Sequence, residues 1–351
     1  MSSDSKEKEK EKEKEKSSKG IAGLTNIGNT CYGNATLQAI RHQVDFTIFI
    51  LQGNHTELMK KKKTSEKTKL LQAYGELSRA LWTAEGGVVK TRDFWSAMIP
   101  AAIKEGVGHF QSAAPHDAHE FLVFLLDQFH EALAEDVKMT IQKTAQSKDV
   151  VGALDFWKSS FEKSYSPFVE LLFGLLRKSV VCQGCKNESV TWETMNITKV
   201  CVTNSEKNLN LLDLMREECK EEIIDDYACD SCKKRGKAIK TLAYWRLGNW
   251  VIITLKRNEN NGRKINKHID IPKKICFQPV FHPKSEETSA KASYELFSTI
   301  EHHGSSRGGH YTAHAKHSVT GAWTLYDDES TMEVADVPIN SSTYIVMYRK
   351  E

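Results

Sequence analysis

A chain of 351 residues with 40% hydrophobic content is long enough to bury one large core or two to three lobes. Its net charge of +3 gives no support for a nucleic-acid binder or a membrane-surface protein. The longest apolar run, around 171–176, is short and the N-terminus is charged, which argues against a membrane span or secretory signal. A cytosolic or nuclear location is expected, where the eight cysteines serve as ligands, nucleophiles or buried thiols rather than as disulfides.

Residues 6–16 alternate Lys and Glu without an apolar residue and Ser-Ser-Lys-Gly follows, so residues 1–19 read as a disordered tail. A short solvated Glu/Lys helix is the alternative for part of that run. From Gly20 to about Tyr165 the pattern is mostly helical. In the run from Gly23 to Gln38, glycines and asparagines crowd the approach to Cys31, and helix formers with apolar Leu37 and Ile40 follow. Cys31 is therefore predicted at a helix N-terminus, where unpaired N–H groups and the helix dipole favour the thiolate. The flanking glycines let a substrate backbone come close. The polar insertion from Lys60 to Lys69 reads as a surface loop or helix end. A nuclear-localisation signal at Lys60–Lys63 is the rival reading, although a solvated lysine run needs no receptor. From Asp117 to Leu133, apolar Ala118, Phe121, Leu122, Leu125, Leu126, Phe129 and Leu133 recur at helical spacing and form a core face. Asp117 and Glu120 stand at its start with the spacing of a capping box.

After about Ser179 the chain turns to short β-prone stretches: Ser189–Val202, Trp250–Leu255, Tyr294–Ile300, Tyr311–Ala315, Trp323–Tyr326 and Tyr344–Tyr348. Helices first and strands afterwards predict an α+β protein with a helical N-terminal half and an antiparallel-sheet C-terminal half. Within the second half, Cys182-Gln-Gly-Cys185 and Cys229-Asp-Ser-Cys232 are two C-x-x-C pairs separated by strand-forming sequence. Four thiolates suit one tetrahedral zinc ion with no open position for water, which makes the metal structural. A redox C-x-x-C or a set of buried cysteines is the alternative. Cys201, Cys219 and Cys276 are read as ordinary reduced cysteines.

A reactive thiol with an imidazole far downstream is the sequence trace of nucleophilic acyl transfer. His310 follows Gly308-Gly309 and precedes a β-prone stretch, yet the residues alone rank it only modestly above His302 and His303. Asp327 and Asp328 end the Trp323–Tyr326 strand, and alternation sends their side chains to opposite faces, so only one can face His310.

These motifs together resemble the ubiquitin-specific proteases, the papain-like deubiquitinating enzymes. Gly23–Gln38 resembles their cysteine box, Pro115–Leu122 the segment usually written Gln-Asp-Ala-His-Glu-Phe, Phe168–Cys185 the stretch leading into the first zinc pair, and Tyr294–Asp328 their histidine box. The resemblance runs from about Gly20 to Arg349. It implies a thumb at about 20–165, fingers at about 179–245 carrying one zinc ion, and a palm from about 166–178 and 246–351. It implies a triad of Cys31, His310 and Asp327, with Asp328 in support and Asn26 donating to the oxyanion together with the backbone N–H of Cys31. Asn26 also suits a turn, and both roles can hold at once. Asp117 and Glu120 are expected to hold the arginine-containing tail of ubiquitin, the cap reading standing beside this, while Gly309 and Tyr311 line the channel for the di-glycine end. Ubiquitin, ubiquitinated proteins and, in some members, an activating protein are the implied partners; neither nucleic acid, membrane nor a diffusible cofactor is expected. Rival functions are a protease for another ubiquitin-like modifier and a ubiquitin-binding scaffold with little turnover. A zinc-dependent nucleic-acid module is the most distant rival. Three residues depart from the family pattern: His116 where Gln is usual, Asn258 where Phe is expected, and His314 where Tyr is common. They bear on substrate preference and packing rather than on reaction type.

Overall fold

The computed structural model describes residues 19–111, 114–141, 147–203, 209–257, 262–285, 292–305 and 308–351. The Lys/Glu run, the rest of the expected tail before Lys19, and Asn258 lie outside these residues. The chain divides into two compact units, one formed by residues up to 133 with 260–264 and 297–346, the other by 134–259, 265–296 and 347–351.

The first unit opens with β1 (Gly23–Leu24), α1 (Cys31–Ile40), α2 (Val44–Leu51), α3 (Asn54–Met59), α4 (Glu66–Thr83), β2 (Val88–Val89), α5 (Arg92–Lys104) and α6 (Ala118–Leu133). Every residue of α1 is buried. Its polar residues Asn34 and Gln38, with Arg41 just beyond, recur at i, i+4, i+7 and so share one face. That face holds the backbone of the preceding arm: Asn34 Nδ2 donates to the Thr25 carbonyl at 3.3 Å, Gln38 Nε2 to Ala22 at 2.9 Å and an Arg41 guanidinium nitrogen to Gly20 at 2.8 Å. These bonds fix the arm's register, at the cost of leaving Asn34 Oδ1 and Arg41 Nη1 buried without a partner among the described residues. The lysine insertion is both loop and helix end, a loop up to Ser65 and then the first turn of α4. The Ser65 Oγ accepts from the Thr68 N–H at 3.3 Å and the Thr68 Oγ1 from the Ser65 N–H at 2.9 Å, so a capping box starts α4 inside the insertion. Helix α6 follows the predicted apolar stripe, all of whose residues are buried. Tyr74 joins α4 to this stripe, its ring 4.9 Å from Phe129 and 5.3 Å from Phe46 of α2. Truncating Phe129, fully buried there, to alanine removes about 3–5 kcal/mol.

The second unit contains α7 (Lys148–Phe161), α8 (Phe168–Leu172), β3 (Gly174–Cys182), β4 (Glu188–Met195), β5 (Thr198–Cys201), β6 (Leu209–Asn210), α9 (Leu211–Glu218), β7 (Glu222–Ala228), β8 (Arg235–Arg246), β9 (Trp250–Lys256), β10 (Ile269–Asp270) and β11 (Lys274–Cys276). Strands β4-β3-β8-β7 form an antiparallel sheet. Val150 and Ala153 of α7 pack on Leu175 and Trp245 of that sheet. The predicted 189–202 strand is two strands, because β5 leaves β4 to pair in parallel with β9. Strand β9 is buried from Trp250 to Leu255, the continuous apolar pattern of a strand covered on both faces. Helix α9 falls in a region read as β-prone; the Asn210 side chain caps it by accepting from the Asp213 N–H at 2.9 Å.

The chain closes with β12 (Ser293–Ser305), β13 (Gly308–Lys316), β14 (Trp323–Asp327), β15 (Ser330–Val334) and β16 (Thr343–Lys350). In the first unit these run in the order β15-β14-β13-β12-β16, and α1 lies against β13. Register pairs His303 with His310, Glu301 with Thr312 and Ala313 with Tyr326. Alternation thus puts His310, Thr312 and His314 on one face and Tyr311, Ala313 and Ala315 on the other. The departure at His314 has a local partner: its Nδ1 lies 3.0 Å from the Glu301 carboxylate, both side chains being buried. Among the described residues, no helix is long and apolar enough to cross a membrane.

Candidate active site

Cys31 is the first residue of α1 and is 6% exposed. A helix start by itself lowers a thiol's pKa, but here burial reverses the balance. Desolvation raises the thiol, the N–H of Tyr311 opposes this, the Asp328 carboxylate raises it further, and the N–H groups of Tyr32 and Cys31 itself oppose; the net shift is upward. The thiol faces N–H groups that would receive a negative charge.

His310, near the start of β13, and Asp327, the last residue of β14, are both half-exposed, and His310 Nε2 lies 2.6 Å from Asp327 Oδ1. With Nε2 held there, Nδ1 is the nitrogen left to exchange a proton with a thiol. The neighbouring histidines are differently placed. His302 stacks on Tyr311 with ring centroids 4.5 Å apart, and burial together with the Lys264 charge pushes its pKa down to about 4. His303 Nε2 lies 3.2 Å from the Thr312 hydroxyl.

Asp328 follows in the turn to β15 with φ of 49°, a left-handed conformation that Asp tolerates better than most residues. Its carboxylate accepts from Asn26 Nδ2 and from Asn34 Nδ2, each at 2.7 Å. The Asn26 carbonyl oxygen accepts from the Gly28 N–H at 2.9 Å, the Thr30 N–H at 3.2 Å and the Thr30 hydroxyl at 3.1 Å. Its amide orientation is thus fixed from both ends, and the bonds its oxygen accepts are those of a turn residue. Asn34 is a site residue that the motif reading misses. It lies three residues after Cys31, one helical turn on and buried, and a polar residue in a wholly buried helix is the available signal.

Asp117 acts as the cap of α6. Its Oδ1 accepts from the N–H of His119 at 2.7 Å and of Glu120 at 3.3 Å, and the Tyr344 hydroxyl donates to both carboxylate oxygens at 3.0 and 2.9 Å. Glu120 does not complete a reciprocal box; it is half-exposed and pairs with His109 at 3.2 Å. His116, the second departure, stands edge-on to the Tyr32 ring at 5.3 Å. Tyr311 is 7% exposed, so its ring forms wall while its N–H faces the thiol. Gly309 has a packing reason to be glycine, since a Cβ there would lie 2.2 Å from the His303 carbonyl oxygen.

In the second unit the sulfurs of Cys182, Cys185, Cys229 and Cys232 all lie within 4.8 Å of one another, with Cys185 and Cys229 3.7 Å apart. Tetrahedral zinc with Zn–S near 2.3 Å requires sulfurs about 3.8 Å apart, so the cluster fits that ion. The two halves are built alike. The N–H of Lys186 donates to the Cys182 carbonyl at 2.9 Å and that of Lys233 to the Cys229 carbonyl at 2.8 Å, with φ of 59° and 58° at the two lysines. The N–H groups of Cys185 and Gly184 pull the Cys182 thiol down to about 7 while burial and the neighbouring thiols push Cys185 up to about 11, the opposed shifts of thiols crowded together.

The family profile described as ubiquitin carboxyl-terminal hydrolase matches residues 22–348. Among curated proteins, the chain is similar to ubiquitin carboxyl-terminal hydrolase 2 of Rattus norvegicus, 27% identical over 349 residues, covering 95% of this chain and 54% of that protein. It is similar also to ubiquitin carboxyl-terminal hydrolase 4 of Saccharomyces cerevisiae, 26% identical over 362 residues, covering 93% of this chain and 39% of the relative. The chain thus spans about half the length, or less, of these relatives. Among solved structures, it resembles a chain of the SAGA DUB module of Ubp8, Sgf11, Sus1 and Sgf73 bound to monoubiquitin, with a TM-score of 0.73 and 22% identity over 95% of this chain and 70% of that one. The same module bound to ubiquitin aldehyde gives a TM-score of 0.71 at 22% identity, over 95% of this chain and 70% of that one. At such identity the likeness shows the fold, the papain-like α+β fold of the ubiquitin-specific proteases. With its profile matched from 22 to 348, the chain belongs to the ubiquitin carboxyl-terminal hydrolase family.

Proposed function

We propose that this chain is a deubiquitinating cysteine protease that hydrolyses the peptide or isopeptide bond after the C-terminal glycine of ubiquitin. The observation that carries the reading is the 2.6 Å contact between His310 Nε2 and Asp327 Oδ1, beside a buried thiol that faces the N–H of Tyr311. In the proposed cycle, Nδ1 of His310 takes the Cys31 proton as Sγ attacks the glycine carbonyl. The oxyanion receives the Asn26 amide and the Cys31 N–H, and the imidazolium gives its proton to the departing lysine amine. Water then attacks the thioester while His310 accepts its proton, and the thiol is restored with release of the ubiquitin carboxylate.

Asp117 and Glu120 hold the substrate tail in this reading through their charge, and Gly309 and Tyr311 border the path of the di-glycine. One zinc ion on the four cysteines is a staple of the fingers and takes no part in bond breaking. The thumb, fingers and palm boundaries, and a cytoplasmic or nuclear location, belong to the same proposal. A second reading is a chain with low turnover by itself that binds ubiquitin and gains activity from a partner protein. Neighbouring structures contain Ubp8 together with Sgf11, Sus1 and Sgf73.

The test is hydrolysis of a fluorogenic amide at the C-terminus of ubiquitin, compared with the same amide on other ubiquitin-like modifiers ending in di-glycine. The proposal expects ubiquitin to be the preferred substrate and Cys31→Ala and His310→Ala each to abolish turnover. Tight ubiquitin binding without turnover supports the second reading, and preference for another modifier overturns the substrate assignment.

A further inference from the structure

Two local costs sit side by side beneath the nucleophile. Gly33 occupies the first turn of α1, although glycine is the poorest helix former after proline and its backbone there is not left-handed. Trp95 of α5 is 3% exposed and its indole N–H has no hydrogen-bond partner among the described residues, an unfavourable state for a buried donor. One geometric fact accounts for both. A Cβ on residue 33 would lie 2.7 Å from Cζ2 and 2.8 Å from Cη2 of the Trp95 ring, and 3.4 Å from Phe121. The glycine is a notch, and the indole fills it.

The ring is itself fixed. It stacks on Phe121 of α6 with centroids 5.5 Å apart and meets the Phe94 ring edge-on at 5.8 Å and Tyr32 edge-on at 5.9 Å. Tyr32 separates Cys31 from Gly33 along the chain and is also in contact with Phe110, Phe121 and His116. Aromatic surfaces thus bound the first turn of α1, and close packing transmits small displacements instead of absorbing them.

We infer that the Gly33–Trp95 notch is a positioning device for catalysis: it sets how far α1 stands from α5 and thereby where the Cys31 thiol lies relative to the N–H of Tyr311. Violations of local preference cluster where function requires them, and these two adjoin the reacting atom. The inference rests on Cys31 being the nucleophile, but its test does not require ubiquitin.

The experiment measures the pH dependence of Cys31 alkylation by iodoacetamide, read on the Cys31 peptide by mass spectrometry, in the full chain loaded with zinc. Gly33→Ala, folded by circular dichroism at 25 °C, is expected to move the profile by at least half a pH unit and to slow reaction with a C-terminal ubiquitin electrophile about tenfold. Gly33→Ala with Trp95→Leu, which vacates the space the new methyl needs, is expected to recover most of both. Should Gly33→Ala not fold, Trp95→Leu alone decides, since it empties the notch without adding bulk and is expected to shift the profile too. A Gly33→Ala or Trp95→Leu chain that melts earlier but keeps the wild-type profile and acylation rate overturns the inference. Loss of ubiquitin reactivity with an unchanged alkylation profile overturns it as well. A shifted profile in a chain whose wild type never reacts with ubiquitin leaves the notch standing and sinks the functional proposal instead.

Discussion

Replacing Asp328 by asparagine separates two effects that ordinarily move together, thiol acidity and catalytic rate. The native carboxylate accepts from Asn26 and Asn34 at 2.7 Å each, and its charge helps keep the Cys31 thiol protonated. An asparagine of the same shape has one oxygen to accept with, so one of the two amides meets a donor instead of an acceptor. Losing one charge-assisted bond costs about 1.5–3 kcal/mol, and the loss falls on the exposed Asn26 because the buried Asn34 amide, with no water to turn to, keeps the remaining oxygen. The expected loss of global stability is about 2 kcal/mol by urea titration. The Cys31 alkylation profile should move to lower pH, because a negative charge beside the thiol has gone. Turnover should nevertheless fall about 100-fold, because the Asn26 amide, the proposed oxyanion donor, loses its tether. A more acidic thiol in a slower enzyme is the signature. An alkylation profile that moves upward, or full turnover in Asp328→Asn, refutes the account of this site.

Further expectations follow from other parts of the structure. Asp117→Ala removes the cap of α6, about 1 kcal/mol, and leaves the Tyr344 hydroxyl without its acceptor, about 1–3 kcal/mol more. Urea unfolding should register about 2–4 kcal/mol, and a rise in KM for ubiquitin substrates would add the tail-binding role; an unchanged stability contradicts the cap. One zinc per chain is expected by elemental analysis, with Cys229→Ser or prolonged chelation unfolding the second unit's sheet as read by amide hydrogen exchange. Metal-free protein with native protection there contradicts the structural role. Burial holds His42 well below its ordinary pKa and His302 and His317 below theirs, so the folded chain stays neutral at these rings where the unfolded chain takes up protons. That stability is full above about pH 6.5 and is lost as pH falls below it. The urea midpoint should decline between pH 7.5 and 5, less steeply in His42→Gln; a midpoint that rises on acidification would be inconsistent with neutral buried rings.

Several features are legible in the amino-acid sequence because they rest on local periodicity or fixed spacing. The apolar stripe of α6 and the placement of Cys31 at a helix start are read from neighbouring residues, and both stand in the structure. The two C-x-x-C pairs predict one cluster, and their sulfurs do converge. What pairing decides across long sequence separations is less accessible. Nothing near Thr198 indicates that it leaves β4 to pair with β9, nor does the region before Glu218 announce a helix beyond the Asn210 cap. The choice among His302, His303 and His310 depends on which ring meets Asp327 across the sheet. The acidity of Cys31 has the opposite sign to the one its helix terminus suggests, because the terminus is visible in sequence whereas burial and the turn that brings Asp328 near are tertiary. Asn34 escapes a sequence reading for the same reason, its partner lying 294 residues away.

The most direct test of the central claim is intact-mass analysis of this chain after exposure to ubiquitin carrying a C-terminal electrophile. The account predicts a covalent adduct of one ubiquitin per chain, mapped to Cys31, absent in Cys31→Ala and strongly slowed in His310→Ala. No adduct from folded, zinc-loaded protein, or an adduct that persists in Cys31→Ala, would contradict it.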